Sequence, residues 1–271
     1  MKARKLIDEI LENPRFIDKT EALEIVCHVA KRPKSDLILS DNFNLSESQS
    51  EKIRKIAALR EKGIPLAYCM GAAYFYDREF LVNPNVLIPR FDTEILIETV
   101  LKNESADEKF VLELGTGSGI IGEILQSERP SWNIISVDIS INALSVARKN
   151  CQEKILLVNC DKFAAISQKN NFDFIVSNPP YIESKTIETL DGSVKDFEPK
   201  IALDGGESGL AFYGYLAENA GFFLKPEGRI YLEIGFNQGE SVPDIFKKTA
   251  FNKTQIIKDL GQNPRVLRTS S

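Results

Sequence analysis

Histidine is almost absent from this chain: there is one, His28, in 271 residues. Chemistry built on a histidine base or a histidine-ligated metal therefore has almost nothing to work with. His28 itself lies in the apolar-rich run from Leu23 to Ala30 and reads as a core residue rather than a ligand or base. Cysteine is scarce as well. Cys27, Cys69, Cys151 and Cys160 are scattered with no Cys-x-x-Cys pair, which argues against a disulfide framework and against a zinc site. The four read as small buried apolar residues, and no metal is expected. Long hydrophobic runs are missing: none approaches the roughly 20 residues that span a bilayer. Met1-Lys2-Ala3-Arg4-Lys5 leads into a charged amphipathic segment rather than a signal-peptide core. A cytoplasmic protein without a membrane partner is the expectation. An excess of positive charge is missing too. The net charge of −5 gives no bulk attraction to phosphate backbones, so no stable nucleic-acid partner is expected. Basic clusters such as Lys31-Arg32-Pro33-Lys34 and Lys247-Lys248 read as solvated surface.

What is present suffices for a large core: 43% of the residues are hydrophobic, in a chain long enough for one large domain or two. The first part reads as helices. Leu6, Ile7, Ile10 and Leu11 recur at helical spacing, as do Ala22, Leu23, Val26, Val29 and Ala30, and then Ile53, Ile56, Ala57 and Leu59. Asn13-Pro14, Arg32-Pro33 and Gly63-Ile64-Pro65 punctuate them, and Ser46 with Gln49 forms a capping-box pattern before the third. Tyr74-Phe75-Tyr76 and Phe80-Leu81-Val82 then flank Asp77-Arg78-Glu79, which predicts a hairpin with its turn on those three residues. Beyond residue 92, short apolar runs alternate with helical patterns. Phe110 to Leu114, Trp132 to Val137, Ile155 to Val158, Phe172 to Ser177 and Arg229 to Ile234 are of strand length, and two late runs, Gln255 to Leu260 and Arg265 to Arg268, suggest an antiparallel edge pair. The expected fold is α/β: a Rossmann-like parallel sheet with helices on both faces, preceded by a small N-terminal helical domain and a linking β-hairpin. The expected boundaries are residues 1–70, 71–89 and 90–271.

Two loops carry chemistry. Asn178-Pro179-Pro180-Tyr181 ends an apolar strand with two prolines, which have no N–H and a fixed φ, so the loop is stiff. Read alone it is equally a rigid turn. Read as a site, the Asn178 amide and an adjacent carbonyl form paired acceptors for an NH2 group, with Tyr181 free to stack on a planar substrate. The second loop, Gly115-Thr116-Gly117-Ser118-Gly119, follows the strand Val111-Leu112-Glu113-Leu114, and Asp138 lies 19 residues beyond at the tip of the next strand. Glycines let the backbone approach a ligand at a helix N-terminus, and a carboxylate at that distance accepts ribose hydroxyls. The run Gly117 to Gly122 also matches a dinucleotide fingerprint, but its register starts too late after the strand. S-adenosyl-L-methionine fits better, with Glu113 placed toward an ammonium group. Both loops and Asp161 belong to the carboxyl edge of the sheet, where ligands bind.

These residues resemble the HemK/PrmC protein-(glutamine-N5) methyltransferases, which modify the Gly-Gly-Gln loop of bacterial peptide chain release factors. The likeness covers nearly the whole chain. Pro65-Leu66-Ala67-Tyr68 with Gly71 and Phe75 follows one family segment, and Val86-Leu87-Ile88-Pro89-Arg90 with Asp92-Thr93-Glu94 closely copies another. Phe197-Glu198-Pro199, Gly205-Gly206, Gly209-Leu210, Tyr213, Glu233-Ile234-Gly235 and Gln238-Gly239 also follow the pattern. The resemblance implies that Gly115 to Gly119 hold the methionine portion of the cofactor, Asp138 the ribose, and Asp161 with Lys162 the adenine region. Asn178 and the Pro179 carbonyl would accept the amide hydrogens of glutamine, with Pro180 stiffening the loop and Tyr181 packing on the amide. The helical N-terminal domain would dock the release factor, and the protein is expected to act as a monomer. Phe91 stands where relatives carry proline. Lys162 stands where they often have an aromatic, which leaves open whether Phe163 stacks on the base. The expected reaction is an in-line displacement of methyl from sulfur to the amide nitrogen. An adenine-N6 methyltransferase of DNA or RNA, a glutamine methyltransferase of a ribosomal protein and a non-catalytic binding module are the rival readings.

Overall fold

The computed structural model describes residues 1–12, 14–39, 43–167 and 171–271, so Asn13 lies outside the described residues. It divides into two compact units, Met1–Ala72 with Asp191–Phe197, and Ala73–Leu190 with Glu198–Ser271. The first unit contains α1 (Ala3–Ile10), α2 (Lys19–Ala30), α3 (Lys34–Leu39), α4 (Glu47–Arg60) and α5 (Leu66–Met70). Its core gathers Leu6, Ile7, Ala22, Ile25, Val26, Ile53, Ile56 and Ala57, the apolar stripes of three helices turned inward. Ser46 and Gln49 form the expected capping box at α4, each side chain accepting from the other's backbone N–H. Arg54 pairs with Glu9 and Arg60 with Glu21, tying α4 to α1 and α2.

The hairpin strands are β1 (Ala72–Phe75) and β2 (Arg78–Leu81). Their turn falls on Tyr76 and Asp77, at φ of 51° and 56°, rather than on Asp77 to Glu79. Two consecutive positive φ values suit the right-handed twist of a two-residue hairpin, and neither residue is the glycine that would have marked it.

The second unit continues through α6 (Asp92–Asn103), β3 (Phe110–Leu114), α7 (Ile120–Glu128), β4 (Asn133–Asp138), α8 (Ile141–Asn150), β5 (Leu156–Asn159) and β6 (Phe172–Ser177). After α9 (Ser184–Ile187), and α10 (Gly192–Lys195) in the first unit, come α11 (Ala211–Asn219), β7 (Leu224–Glu233), α12 (Ser241–Phe246), β8 (Lys253–Lys258) and β9 (Pro264–Ser270). Seven strands form one sheet in the order β5-β4-β3-β6-β7-β9-β8. The first five are parallel, and β9 inserts antiparallel between β7 and β8. This is the expected Rossmann-like sheet.

Both faces of the sheet are covered, as the near-continuous apolar strands require. Val111, Phe174, Val176 and Tyr231 pack on one face with α6 and α7. Leu112, Leu114, Ile175, Ile230 and Leu232 pack on the other with α11 and α12. Phe174 meets Trp132 and Tyr231 edge-on, with ring centroids 5.2 and 5.6 Å away. Phe174→Ala opens this cluster and is expected to cost about 3–5 kcal/mol of stability. Urea unfolding followed by the fluorescence of Trp132, the single tryptophan, measures it.

Candidate active site

In this sheet β4 and β5 lie on one side of β3, and β6 and β7 on the other. The crevice beyond the carboxyl ends of β3 and β6 is therefore the switch point where α/β sheets bind ligands. A cavity of about 760 Å³ opens there. Gly115, Thr116, Gly117, Ser118, Asp138, Asp161, Lys162, Asn178 and Pro180 line it, together with Val86, Pro89, Arg90 and Thr93.

The glycine loop owes its shape to bonds with β4. Gly115 N and Thr116 N both donate to the Val137 carbonyl, at 2.8 and 3.0 Å. Gly117 N donates to Asp138 Oδ2 and Ser140 N to Oδ1, each at 2.8 Å. The φ values of Gly115, Gly117 and Gly119 are 74°, 54° and 86°, a left-handed path that L side chains rarely adopt. A Cβ on Gly117 would meet nothing within 4 Å, so its backbone lies bare, whereas one on Gly119 would stand 2.5 Å from Cys151 Sγ. Gly119 is thus a packing glycine and does not line the cavity. Burial raises the Asp138 carboxyl, offset by the two N–H bonds. A carboxylate has about four lone-pair sites, so it keeps acceptor capacity for hydroxyls.

Glu113 departs from expectation: it does not line the cavity. It is fully buried under the loop, where Oε2 accepts from Thr116 Oγ1 and Ser136 Oγ at 3.0 and 2.5 Å, while Oε1 has no partner among the described residues. Phe163 is excluded as a base-stacking surface because it is in the core, stacked on Phe223 at 4.1 Å. Lys162 stays at the cavity, paired with Asp161 at 2.7 Å, with Nζ 4.9 Å from the ring centre of Tyr215, another lining residue. The four cysteines are free and half-buried rather than fully buried, with Cys69, Cys151 and Cys160 packed against the apolar cores. His28 is buried, as expected.

Asn178 lines the cavity; Pro179, expected to offer its backbone carbonyl, and Tyr181, expected to pack on a substrate amide, are not among the lining residues. Pro179 is buried and outside the lining, and Tyr181 turns its hydroxyl to Glu233 Oε1 at 3.3 Å. Burial pushes the Tyr181 phenol well above its ordinary value. Asn178 Nδ2 donates to Thr93 Oγ1 at 3.0 Å, and Thr93 Oγ1 donates to Glu233 Oε2 at 2.7 Å. The amide thus has its Oδ1 acceptor left over. Thr93, Arg90, Glu198 and Glu233 carry no individual motif signal, although all four lie in segments that resemble the family. Arg90 lines the cavity and pairs with the buried Glu198, which also accepts from Ile88 N at 3.1 Å. This pairing holds the Val86 to Arg90 loop against the site.

Two family models match the chain, Methyltransferase small domain over residues 90–193 and PrmC N-terminal domain over residues 8–71. The release factor glutamine methyltransferase of Thermodesulfovibrio yellowstonii is 37% identical over 275 residues, covering 98% of this chain and 97% of that protein. The chain belongs to the release factor glutamine methyltransferase family. A second member of this similarity group, the bifunctional methyltransferase of Rickettsia prowazekii, is 39% identical over 92% of this chain but 53% of its own length. The chain spans about half the length of such curated relatives. The crystal structure of a methyltransferase from Pyrococcus furiosus shares the fold at 17% identity, with a TM-score of 0.53 over 83% of this chain and 98% of that one.

Glu113 gives the site of this family member a pH signature. Burial raises its carboxyl from an ordinary 4.5 to about 7, against hydrogen bonds from Ser136 and Thr116 that lower it. Between those values the folded chain keeps a proton that the unfolded chain has released. Stability therefore falls as pH rises through that window and levels off above it. Glu113→Gln is expected to make the fall shallower in urea denaturation across the window, with Glu233 still contributing a slope of the same sign. An unchanged slope contradicts it.

Proposed function

We propose that this protein transfers a methyl group from S-adenosyl-L-methionine to the side-chain amide nitrogen, N5, of the glutamine in the Gly-Gly-Gln loop of peptide chain release factors. The observation that carries this reading is the Asn178 carboxamide, with Nδ2 committed to Thr93 and Oδ1 left over, at the cavity lined by Gly115 to Ser118 and Asp138. The residues fit the cofactor. The bare backbone of Gly117 admits close approach, Asp138 has acceptor capacity for a ribose, and Asp161, Lys162 and Tyr215 border the region left for the base. Bound there, S-adenosyl-L-methionine supplies an electrophilic methyl on a sulfonium sulfur.

The remaining work falls to orientation. A carboxamide nitrogen is a poor nucleophile because its lone pair is delocalised. Asn178 Oδ1 accepts one of its hydrogens and the carbonyl of the stiff loop the other, which turns the nitrogen face toward the methyl donor. Positioning and fixed dipoles supply the acceleration, and the surplus proton leaves late to water without a strong base. Of the buried carboxyls near the site, neither Glu113 nor Glu233 lines the cavity, which suits a mechanism without a base. The first compact unit, matched over residues 8–71 by the PrmC N-terminal domain, serves to dock the release factor. The protein is read as acting in the cytoplasm as a monomer.

The test is incubation with labelled cofactor and a mixture of release factor, ribosomal proteins and DNA, followed by identification of the labelled residue. Label on the release-factor glutamine is expected. Label on adenine or on a ribosomal protein overturns the assignment. Asn178→Ala is expected to keep cofactor affinity by calorimetry while methyl transfer falls about 10²–10³-fold, the loss typical of removing one oriented polar group. Near-normal turnover contradicts the role given to Asn178.

A further inference from the structure

Glu233 lies behind the site, 1% exposed and absent from the cavity wall, yet both its carboxylate oxygens are engaged by groups that lead there. Oε2 accepts the Thr93 hydroxyl and Oε1 the Tyr181 hydroxyl. A hydroxyl has one proton. Since Thr93 gives its proton to Glu233, Thr93 Oγ1 can meet the Asn178 carboxamide only as an acceptor. The carboxamide must then turn Nδ2 inward, as observed at 3.0 Å, and leave Oδ1 outward.

We propose that Glu233 is a positioning residue that sets the sense of the Asn178 carboxamide through the Thr93 hydroxyl, so that an ionised Glu233 presents an acceptor to the substrate and a protonated Glu233 permits a donor. On protonation the carboxylic acid donates to Thr93, and the Thr93 proton is freed to point at Asn178. The matching partner is then Oδ1, and rotation of the amide puts NH2 on the cavity side. That opposes donor to donor when the substrate is itself an NH2 group.

The surroundings put this exchange within a working pH range. Burial is the largest influence on Glu233 and raises its carboxyl to about 7. Asp92 at the start of α6 raises it further, while Thr93, Tyr181 and Arg265 at the start of β9 lower it. Arg265 is itself paired with Asp92 at 3.1 Å. Tyr213 from α11 donates to the Glu233 backbone carbonyl at 2.9 Å and leaves the carboxylate oxygens to the relay.

The kinetic part of the proposal rests on the glutamine-methyltransferase reading above, and a spectroscopic part stands without it. The side-chain amide signals of Asn178, assigned by their loss in Asn178→Ala, are followed by ¹⁵N NMR against pH without release factor. They are expected to move with a midpoint near 7 in the wild type and to stay fixed in Glu233→Gln. Single-turnover methyl transfer is expected to fall about tenfold from about pH 8 to about pH 6, following the ionised fraction, with cofactor affinity unchanged. That fall should vanish in Glu233→Gln and in Thr93→Val, and return in Thr93→Ser, with circular dichroism checking that each variant folds. A static Asn178 signal in the wild type, or a wild-type fall in transfer persisting in Glu233→Gln or in Thr93→Val, overturns the proposal. No transfer to release factor at any pH, with the Asn178 titration present and lost in Glu233→Gln, upholds the relay and removes only the substrate assignment.

Discussion

Parallel pairing of β3 with β6 is the constraint on which the site depends. Leu114 and Ser177, the last residues of those strands, are register partners, and Ser177 Oγ donates to the Leu114 carbonyl at 2.6 Å. The chains leaving the two strands must then run side by side: a Cβ built on Gly115 would come 3.9 Å from the Asn178 carbonyl. A glycine loop suited to a nucleoside cofactor and a proline-stiffened amide thereby share one cavity although 63 residues separate the paired positions. Apolar packing on both faces holds the pairing, so precise placement of a polar site rests on non-polar energetics.

Two buried carboxyls brace the two walls in similar ways. Glu113 sits under the glycine loop with Thr116 and Ser136 donating to it, and Glu233 sits behind Asn178 with Thr93 and Tyr181 donating to it. Burying a carboxylate is expensive unless hydrogen bonds replace its water. In both cases hydroxyls offset only part of that cost, supplying directional bonds to the carboxyl. Both carboxyls are correspondingly raised to about 7. The arrangement gives up some stability near neutral pH and gains fixed geometry at the two loops that border the cavity.

Much of this was legible in the residues. The strands Phe110 to Leu114 and Phe172 to Ser177 are short apolar runs bounded by turn chemistry, and Ser46 with Gln49 announces its helix start. What escaped had physical reasons. β7 begins at Leu224, before Arg229, because Pro226 and Gly228 interrupt the strand pattern at a bulge opposite Phe172 and Phe174. The hairpin turn rests on Tyr76 and Asp77, which carry no glycine signal. At the site, Gly115, Gly117, Asp138 and Asn178 could be found because a backbone path or a strand tip demands them. Glu113 and Tyr181 were in the right segments, but side-chain direction is settled by packing, and packing turned the Glu113 carboxyl under the loop and the Tyr181 hydroxyl to Glu233. Thr93 lies 85 residues from Asn178 in sequence, and only the folded sheet brings the hydroxyl to the amide.

The most direct measurement is a crystal structure with S-adenosylhomocysteine and a glutamine-bearing peptide from a release factor. The account predicts the nucleoside ribose on Asp138, Asn178 Nδ2 on Thr93, and Asn178 Oδ1 within hydrogen-bond distance of the glutamine side-chain nitrogen. A nucleoside bound away from the Gly115 loop, or an Asn178 carboxamide that turns Nδ2 to the peptide, would contradict it.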